Sequence, residues 1–380
     1  MSKTIDKKYV TSKEVIHYSK LPVIHWKDIS ATAPTHVDIT DPSTLPAADI
    51  AIITWTSAEW SAFDHVFVNS EYERSHYDTD WRQYWHPFPH GSEESKKDFQ
   101  VTLDFYFKLV EVNSDEAQAD GSKKKKPIKV LLVKSENHLA HPPWRTGLEN
   151  MVQEIITGAG VKAVVSTGTA GAAKDDQKLG DVVFTTSAKI KLEKVNNLPC
   201  DYNNTVFHAD NTFENTDLID KVRDNLMMPI SNVWTNDVIT VLLDRLNSEF
   251  SSQGHTYTYA DLVNDALKPS ELTENYVQIS NKTPLFTTDF YFTTDTANPL
   301  DYSFLEMDDA VIAHVAKKAG VKYGFIRNIS DPVIVATDSS NNPVPKSVQG
   351  DWSGMIYSYS GFYTSFNSAL AAWASIKQLV

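Results

Sequence analysis

Apolar positions along the chain fall into short runs of strand length and longer stretches of helical period. Asp49 to Trp55 (DIAIITW) reads as a strand covered on both faces. Trp60, Phe63, Val66 and Phe67 follow at helical spacing, and Thr56 with Glu59 forms a capping box at the start of that helix. Phe99 to Val112 alternates as a strand, residues 113 to 127 read as a hairpin or flexible loop, and Ile128 to Lys134 (IKVLLVK) is another buried strand. A helix over Leu148 to Thr157 leads to a strand over Val161 to Thr167 and then to the segment GTAGAA, where Gly168 and Gly171 allow close approach of backbone to a ligand. Gly180 to Thr186 is a further strand. Helices are expected over Asp217 to Met228, Asn236 to Phe250 and Tyr259 to Lys268, with Leu218, Val222, Val238, Val241, Leu242 and Leu246 as a local core. Residues 283 to 295 pass from a strand into an aromatic-rich loop. A helix over Asp308 to Ala319, ended by Gly320, precedes a strand over Lys322 to Ile329, and a long helix over Gly354 to Gln378 closes the chain.

This alternation predicts an α/β fold. The expected organisation is an N-terminal arm over residues 1–47 and one domain over 48–380, with insertions at about 69–98 and 194–280. Composition narrows the class. The 380 residues are 41% hydrophobic and 22% charged, as in a globular protein. A net charge of −14 disfavours non-specific nucleic-acid binding. The lone Cys200 has no partner for an internal disulfide, and MSKTIDKKYVTSKEV lacks the apolar core of a signal peptide, so a cytoplasmic address is expected. No apolar run reaches the ~18 residues of a membrane span. His86 and His90 are four apart, but Pro87 and Pro89 prevent a helix that would align them, so no metal site is expected. Lys123 to Lys126 reads as a solvated loop.

Candidate chemistry gathers near Tyr302 to Val333. Glu306, Asp308 and Asp309 stand at the start of one helix, and Asp331 stands just past the following strand. Ligands of open α/β sheets bind at the carboxyl ends of strands, and converging carboxylates hold hydroxyls and move protons. The plainer alternative is that these acids cap a helix and make an Asp-Pro turn. His138, His141 and Arg145 lie near another strand end, either to meet an anionic or polar group or as ordinary loop residues. Phe290, Tyr291 and Phe292 either stack on a base or alternate across a sheet.

Four segments, AIITWTSAE, STGTAGAAKDDQKLGDVV, TTDFYF and EMDDAVIAHV…IRNISD, resemble the nucleoside phosphorylase and nucleosidase superfamily, in order and over most of the chain from residue 50. The resemblance implies a three-layer α/β/α fold around a twisted mixed sheet, with cleavage of an N-glycosidic bond. The pattern looks closer to the methylthioadenosine/S-adenosylhomocysteine nucleosidases than to the phosphorylases. Ser166 stands where hexameric purine phosphorylases carry a phosphate-binding Arg. By resemblance, Glu59 activates water and Asp331 is the general acid to the purine. Glu306, Met307 and Ser330 line the site, Tyr291 with Phe292 meets the base, and Thr169, Ala170 and Gly171 lie under the sugar. Asp308 stands where the family has a Glu that holds the ribose hydroxyls. The shorter acid lets the ribose sit deeper, brings in Asp309 or a water, or alters the activity.

The expected function is a cofactor-independent and metal-independent hydrolase. It would release a purine, adenine foremost, from a small-molecule nucleoside or nucleotide, in a homo-oligomer without nucleic-acid or membrane partners. The alternatives are a phosphorylase whose phosphate site uses Arg145, His138 or His141, and a non-catalytic nucleoside-binding module.

Overall fold

The computed structural model describes residues 18–89, 103–117, 123–173, 177–210, 216–262, 272–274, 277–280, 284–291, 302, 304–333, 338 and 342–379. The chain begins with β1 (Thr35–His36), β2 (Ile50–Thr54), α1 (Ser57–Phe67), β3 (His86–Pro89), β4 (Leu103–Ala117) and β5 (Lys123–Ser135). It continues through α2 (Trp144–Ala159), β6 (Ala163–Ala172), β7 (Val182–Thr185), β8 (Ser187–Lys191), β9 (Val206–His208), α3 (Thr216–Asn225), α4 (Asn236–Glu249) and α5 (Tyr259–Leu262). The last elements are β10 (Val277–Ser280), β11 (Leu285–Thr288), β12 (Phe304–Glu306), α6 (Asp309–Ala319), β13 (Lys322–Pro332) and α7 (Lys346–Ser375).

Every residue of β2 is buried, because its two faces meet different helical layers. Ile50 and Ile52 join the apolar cluster that holds Trp60 and Phe63 of α1 and Phe366 and Leu370 of α7. Ala51 and Ile53 join the opposite cluster, with Leu148 and Val152 of α2 and Val311 and Val315 of α6. The result is a three-layer α/β/α fold around a mixed sheet. β2 runs parallel to both β5 and β6, and β6 runs parallel to β13. β12 pairs antiparallel with the last residues of β6, at Gly171 and Ala172, while β11 is parallel to β12.

Several expectations shift at their edges. Residues 113–117 and 123–127 continue β4 and β5 as antiparallel partners, with Asn113 opposite Pro127. GTAGAA is not a separate loop: Gly168 to Ala172 continue β6 and keep pairing with β13. The helices of the 194–280 segment do not form a local core. Val222, Leu242 and Leu246 join the same cluster as α7, so this segment extends the main core. Residues 263 to 271 lie outside the described residues, as does part of the helix expected over Tyr259 to Lys268. Within the arm, Leu21, Ile24 and Trp26 are buried, and Tyr363 donates to the carbonyl of Ser19.

The closing helix starts at Lys346, two turns before the expected Gly354. Pro345 at its N-cap is the reason, since proline suits the entry to a helix. These two extra turns carry residues that line the site.

Candidate active site

A cavity of about 590 Å³ opens at the carboxyl ends of the parallel strands. The turn after β2 supplies Trp55, Thr56 and Glu59, and the end of β6 supplies Thr169, Ala170 and Gly171. The turn between β12 and α6 adds Leu305, Glu306, Met307 and Asp308. β13 and the residues after it add Arg327, Ser330, Asp331 and Val333. The first turns of α7 close one side with Gly350, Ser353, Gly354 and Tyr357, while His138 and Tyr291 reach in from loops.

Glu59 both caps its helix and faces this cavity. Its backbone N–H donates to Thr56 Oγ1 at 3.3 Å, and its Oε2 accepts from the Thr56 N–H at 2.8 Å, which completes the capping box. Oε2 also accepts from the Trp55 N–H and from Thr54 Oγ1, both at 2.9 Å. Oε1 accepts from the Thr169 N–H at 2.7 Å and from Thr169 Oγ1 at 2.8 Å. Donors from two strand ends therefore converge on one carboxylate, an arrangement suited to a fixed acceptor.

Asp331 is aimed by an irregularity in its strand. Ile329 pairs with Ala170 and Asp331 with Gly171, so Ser330 is an extra residue that breaks the register. Such bulges redirect side chains. Asp331 Oδ1 accepts from Ser330 Oγ at 2.6 Å, and Oδ2 lies 2.7 Å from Ser353 Oγ. Burial pushes its pKa above the ordinary carboxylate range, and the two serines partly oppose that.

Asp308 is 3% exposed, and its Oδ1 has no hydrogen-bond partner. Its Oδ2 faces His138 Nε2 at 3.5 Å. His138 Nδ1 accepts the Ala140 N–H at 3.0 Å. A neutral imidazole must then carry its hydrogen on Nε2, towards Asp308. Burial, with His141 and Lys194 adding to it, lowers the His138 pKa to about 3, so the ring is neutral at physiological pH. Burial and then the neighbouring Glu306 carboxyl push Asp308 well above its ordinary range. A buried acceptor without a partner, beside a neutral donor, is a site prepared for a hydroxyl.

Beneath the cavity lies a buried ion network. Arg327 Nη2 forms an ion pair with Asp309 Oδ1, and its Nε donates to Asp309 Oδ2 at 3.0 Å. Nη2 also donates to Ser166 Oγ at 2.8 Å and to Glu306 Oε2 at 3.2 Å. The guanidinium lies 5.3 Å from the Trp55 ring. Ser166 donates in turn to Asp309, and Thr287 donates to Glu306. Glu306 Oε2 also accepts the backbone N–H groups of Asp308 at 2.5 Å and Asp309 at 2.9 Å, which caps α6. Burial and then the adjacent Asp309 raise the Glu306 pKa to about 7, against the pull of Arg327.

The cavity brings together Glu59, Glu306, Met307, Asp308, Ser330, Asp331, Tyr291, Thr169, Ala170 and Gly171. Two expected residues are used elsewhere. Arg145 pairs with Glu149 and donates to the carbonyls of Asn197 and Pro199, both at 3.1 Å, so it ties α2 to the 195–199 segment. His141 stacks on His138 with ring centroids 4.8 Å apart and does not line the cavity. Asp309 is committed to Arg327 and is not free to assist Asp308. Phe292 lies outside the described residues. The described parts of the two insertions, 69–89 and the residues within 194–280, contribute nothing to the cavity wall.

Trp55, Arg327, Ser353 and Tyr357 also line the cavity, beyond the residues expected from the sequence. Arg327 left a signal, since a charge inside the apolar run FIRNIS requires a buried partner. Ser353 precedes the expected start of the last helix, and Tyr357 falls inside its expected span, where nothing local marks it as facing a cavity.

The family model of the phosphorylase superfamily matches residues 149–348, and the chain belongs to that superfamily. Among solved structures, the Helicobacter pylori 5′-methylthioadenosine/S-adenosylhomocysteine nucleosidase is 12% identical with a TM-score of 0.45, over 88% of this chain and 100% of that one. The Colwellia psychrerythraea nucleosidase of the same description, in complex with adenine, is 14% identical with a TM-score of 0.44, over 88% and 97%. Helicobacter pylori futalosine hydrolase is 11% identical with a TM-score of 0.44, over 88% and 99%. No curated protein matches the sequence significantly.

Proposed function

We propose that this protein is a nucleosidase: it hydrolyses the N-glycosidic bond of a purine nucleoside, adenine being the preferred base. The observation that carries the choice of water over phosphate is the charge of the cavity. Its carboxyl groups are Glu59, Glu306, Asp308 and Asp331, and among the described residues its one cationic side chain is Arg327, already engaged by Asp309 and Glu306. A phosphate dianion has no free cation to meet there. His138 is neutral, and Arg145 is occupied elsewhere.

In this reading the purine lies against Tyr291 with a ring nitrogen towards Asp331, and the sugar lies over Thr169 to Gly171. Asp308 accepts a sugar hydroxyl, and His138 Nε2–H donates to another. As the C–N bond breaks, its electron pair passes to the base, which takes the proton of Asp331. Water adds to the anomeric carbon of the sugar. Thr169 turns its hydroxyl away from Glu59 Oε1, which then receives the water's proton. One carboxyl whose pKa is raised by burial and one held as an acceptor is the division of labour the reaction needs. The reaction takes no cofactor, and a neighbouring copy of the chain in a homo-oligomer would complete the cavity beyond the sugar.

The test is release of free base from methylthioadenosine, S-adenosylhomocysteine, adenosine, inosine, AMP and ATP, with and without phosphate. Phosphate-independent release, lost in both Asp331→Asn and Glu59→Gln, is expected. Release that requires phosphate would overturn the hydrolase. Binding without turnover of any substrate would favour the binding module.

A further inference from the structure

We propose that Ser353 is a positioning residue for proton transfer. Its hydroxyl accepts a hydrogen bond from protonated Asp331, then donates to the carboxylate left when Asp331 has given its proton away. This deepens the nucleosidase reading and rests on Asp331 as its acid.

Ser353 Oγ lies 2.7 Å from Asp331 Oδ2 and 2.6 Å from the carbonyl oxygen of Pro332. A hydroxyl has one hydrogen, and a backbone carbonyl only accepts. If Asp331 were ionised in the resting site, two acceptors would compete for that hydrogen and one short contact would hold none. If Oδ2 is protonated, both contacts are satisfied: Asp331 donates to Ser353, and Ser353 donates to Pro332. The other oxygen is already fixed, because Ser330 Oγ is 2.6 Å from Oδ1 and 3.5 Å from its alternative acceptor, the carbonyl of Ala170. The resting geometry therefore suits the acid form, with its hydrogen on Oδ2.

When a purine nitrogen approaches, the Oδ2 hydrogen turns from Ser353 to it. The glycosidic bond breaks with its electron pair on the base, and the proton passes to the base nitrogen. Ser353 then swings its own hydrogen from Pro332 to Oδ2, so a donor meets the new charge as it forms. No atom of the backbone has to move.

The other titratable groups around Asp331 do not supply this donor. Tyr291 and Tyr357 face it with their hydroxyls engaged elsewhere: Tyr291 is hydrogen-bonded to Ser353, whose oxygen has two lone pairs, and Tyr357 to Thr56 and Thr169, while burial pushes both phenols above their ordinary range. Glu59 and Asp308, across the cavity, are acids themselves, and Arg327 is paired with Asp309 and Glu306.

Ser353→Ala, Ser353→Thr and Asp331→Asn separate the outcomes. Ser353 accepts from the acid and donates to the carboxylate; the bond to the charged form is the stronger of the two, so its loss raises the acid's pKa and weakens the conjugate base. Ser353→Ala is expected to lower kcat on the best substrate of the panel by roughly tenfold to a hundredfold, the range for a hydrogen bond to a charged group. It should also move the alkaline limb of the pH profile upwards and leave KM within about threefold, while Ser353→Thr restores most of kcat. A Ser353→Ala enzyme with wild-type kcat and an unmoved limb overturns the proposal. If Asp331→Asn is inactive in that case, the acid reading survives and only the role of Ser353 falls. If Asp331→Asn is fully active, both fall. Infrared titration of the Asp331 carboxyl, with Asp331→Asn as the blank, needs no turnover: the midpoint should rise in Ser353→Ala, and an unchanged midpoint counts against the proposal.

Discussion

A Cβ on Gly168 would fall 2.7 Å from Glu59 Oε1 and 2.9 Å from Arg327 Nη1. The glycine is there so that the carboxylate and the guanidinium can both approach the strand. Gly168→Ala is expected to displace Glu59 and to lower kcat by about a hundredfold, the scale of an ångström's misplacement at a reacting centre. Steady-state kinetics and thermal melting on the same preparation check it. Full activity would mean that the position of Glu59 is not critical.

His138 holds its hydrogen on Nε2 without carrying charge. Its removal should therefore cost binding rather than a protonation step. His138→Ala is expected to raise KM by roughly tenfold, one neutral hydrogen bond, with a smaller rise in His138→Gln. With the His138 pKa lowered to about 3, this ring contributes no limb to the pH profile near neutrality. A limb near pH 6.5 that vanishes in His138→Ala would contradict this.

Folding raises the pKa of Asp308, so the native state keeps that proton after the unfolded chain has lost it. Unfolding then releases a proton from about pH 4, the ordinary aspartate range, up to the raised native value, and stability falls as pH rises through that window. Glu306, at about 7, adds the same slope. Asp308→Asn should flatten the dependence and raise Tm by about 2 °C at pH 8, with little change at pH 4. Calorimetry across pH decides; a Tm that drops at pH 8 would show that the ionised carboxylate stabilises the fold.

Arg327 is 2% exposed and neutralises Asp309 and Glu306 together. Arg327→Met leaves two carboxyls buried without a cation, at a cost of about 3–5 kcal/mol. Adding Asp309→Asn should recover part of that loss. Urea unfolding of the single and double variants measures it, and strict additivity would mean that the two side chains are not coupled.

Much of the architecture can be read from the chain, because strands such as Ile50–Thr54 are buried on both faces and helices such as Asp309–Ala319 carry their stop signals. The acids around Tyr302 to Val333 were visible for the same reason: charges at the ends of apolar runs stand out. What could not be read is reach. Arg145 and His141 follow a strand end just as His138 does, yet only His138 points inward, because Arg145 is drawn to the carbonyls of Asn197 and Pro199 some fifty residues away. Partners that distant leave no local pattern. The bulge at Ser330 is equally silent, since it is a property of the pairing between β13 and β6.

The first turns of α7 present two glycines to the cavity, Gly350 and Gly354, beside Ser353 and Tyr357. Among the described residues, a Cβ at Gly354 would meet no atom within 4 Å, and one at Gly350 would meet only Tyr291, at 3.9 Å. The rest of the same helix, from Tyr359 to Ser375, is buried. One rigid rod thus anchors the protein at one end and leaves blank positions at the other. Side chains added at 350 and 354 can shrink or reshape the space for a substrate while the packed end stays as it is. Larger side chains at these two positions are therefore expected to narrow the space for a substrate without a matching loss of folding.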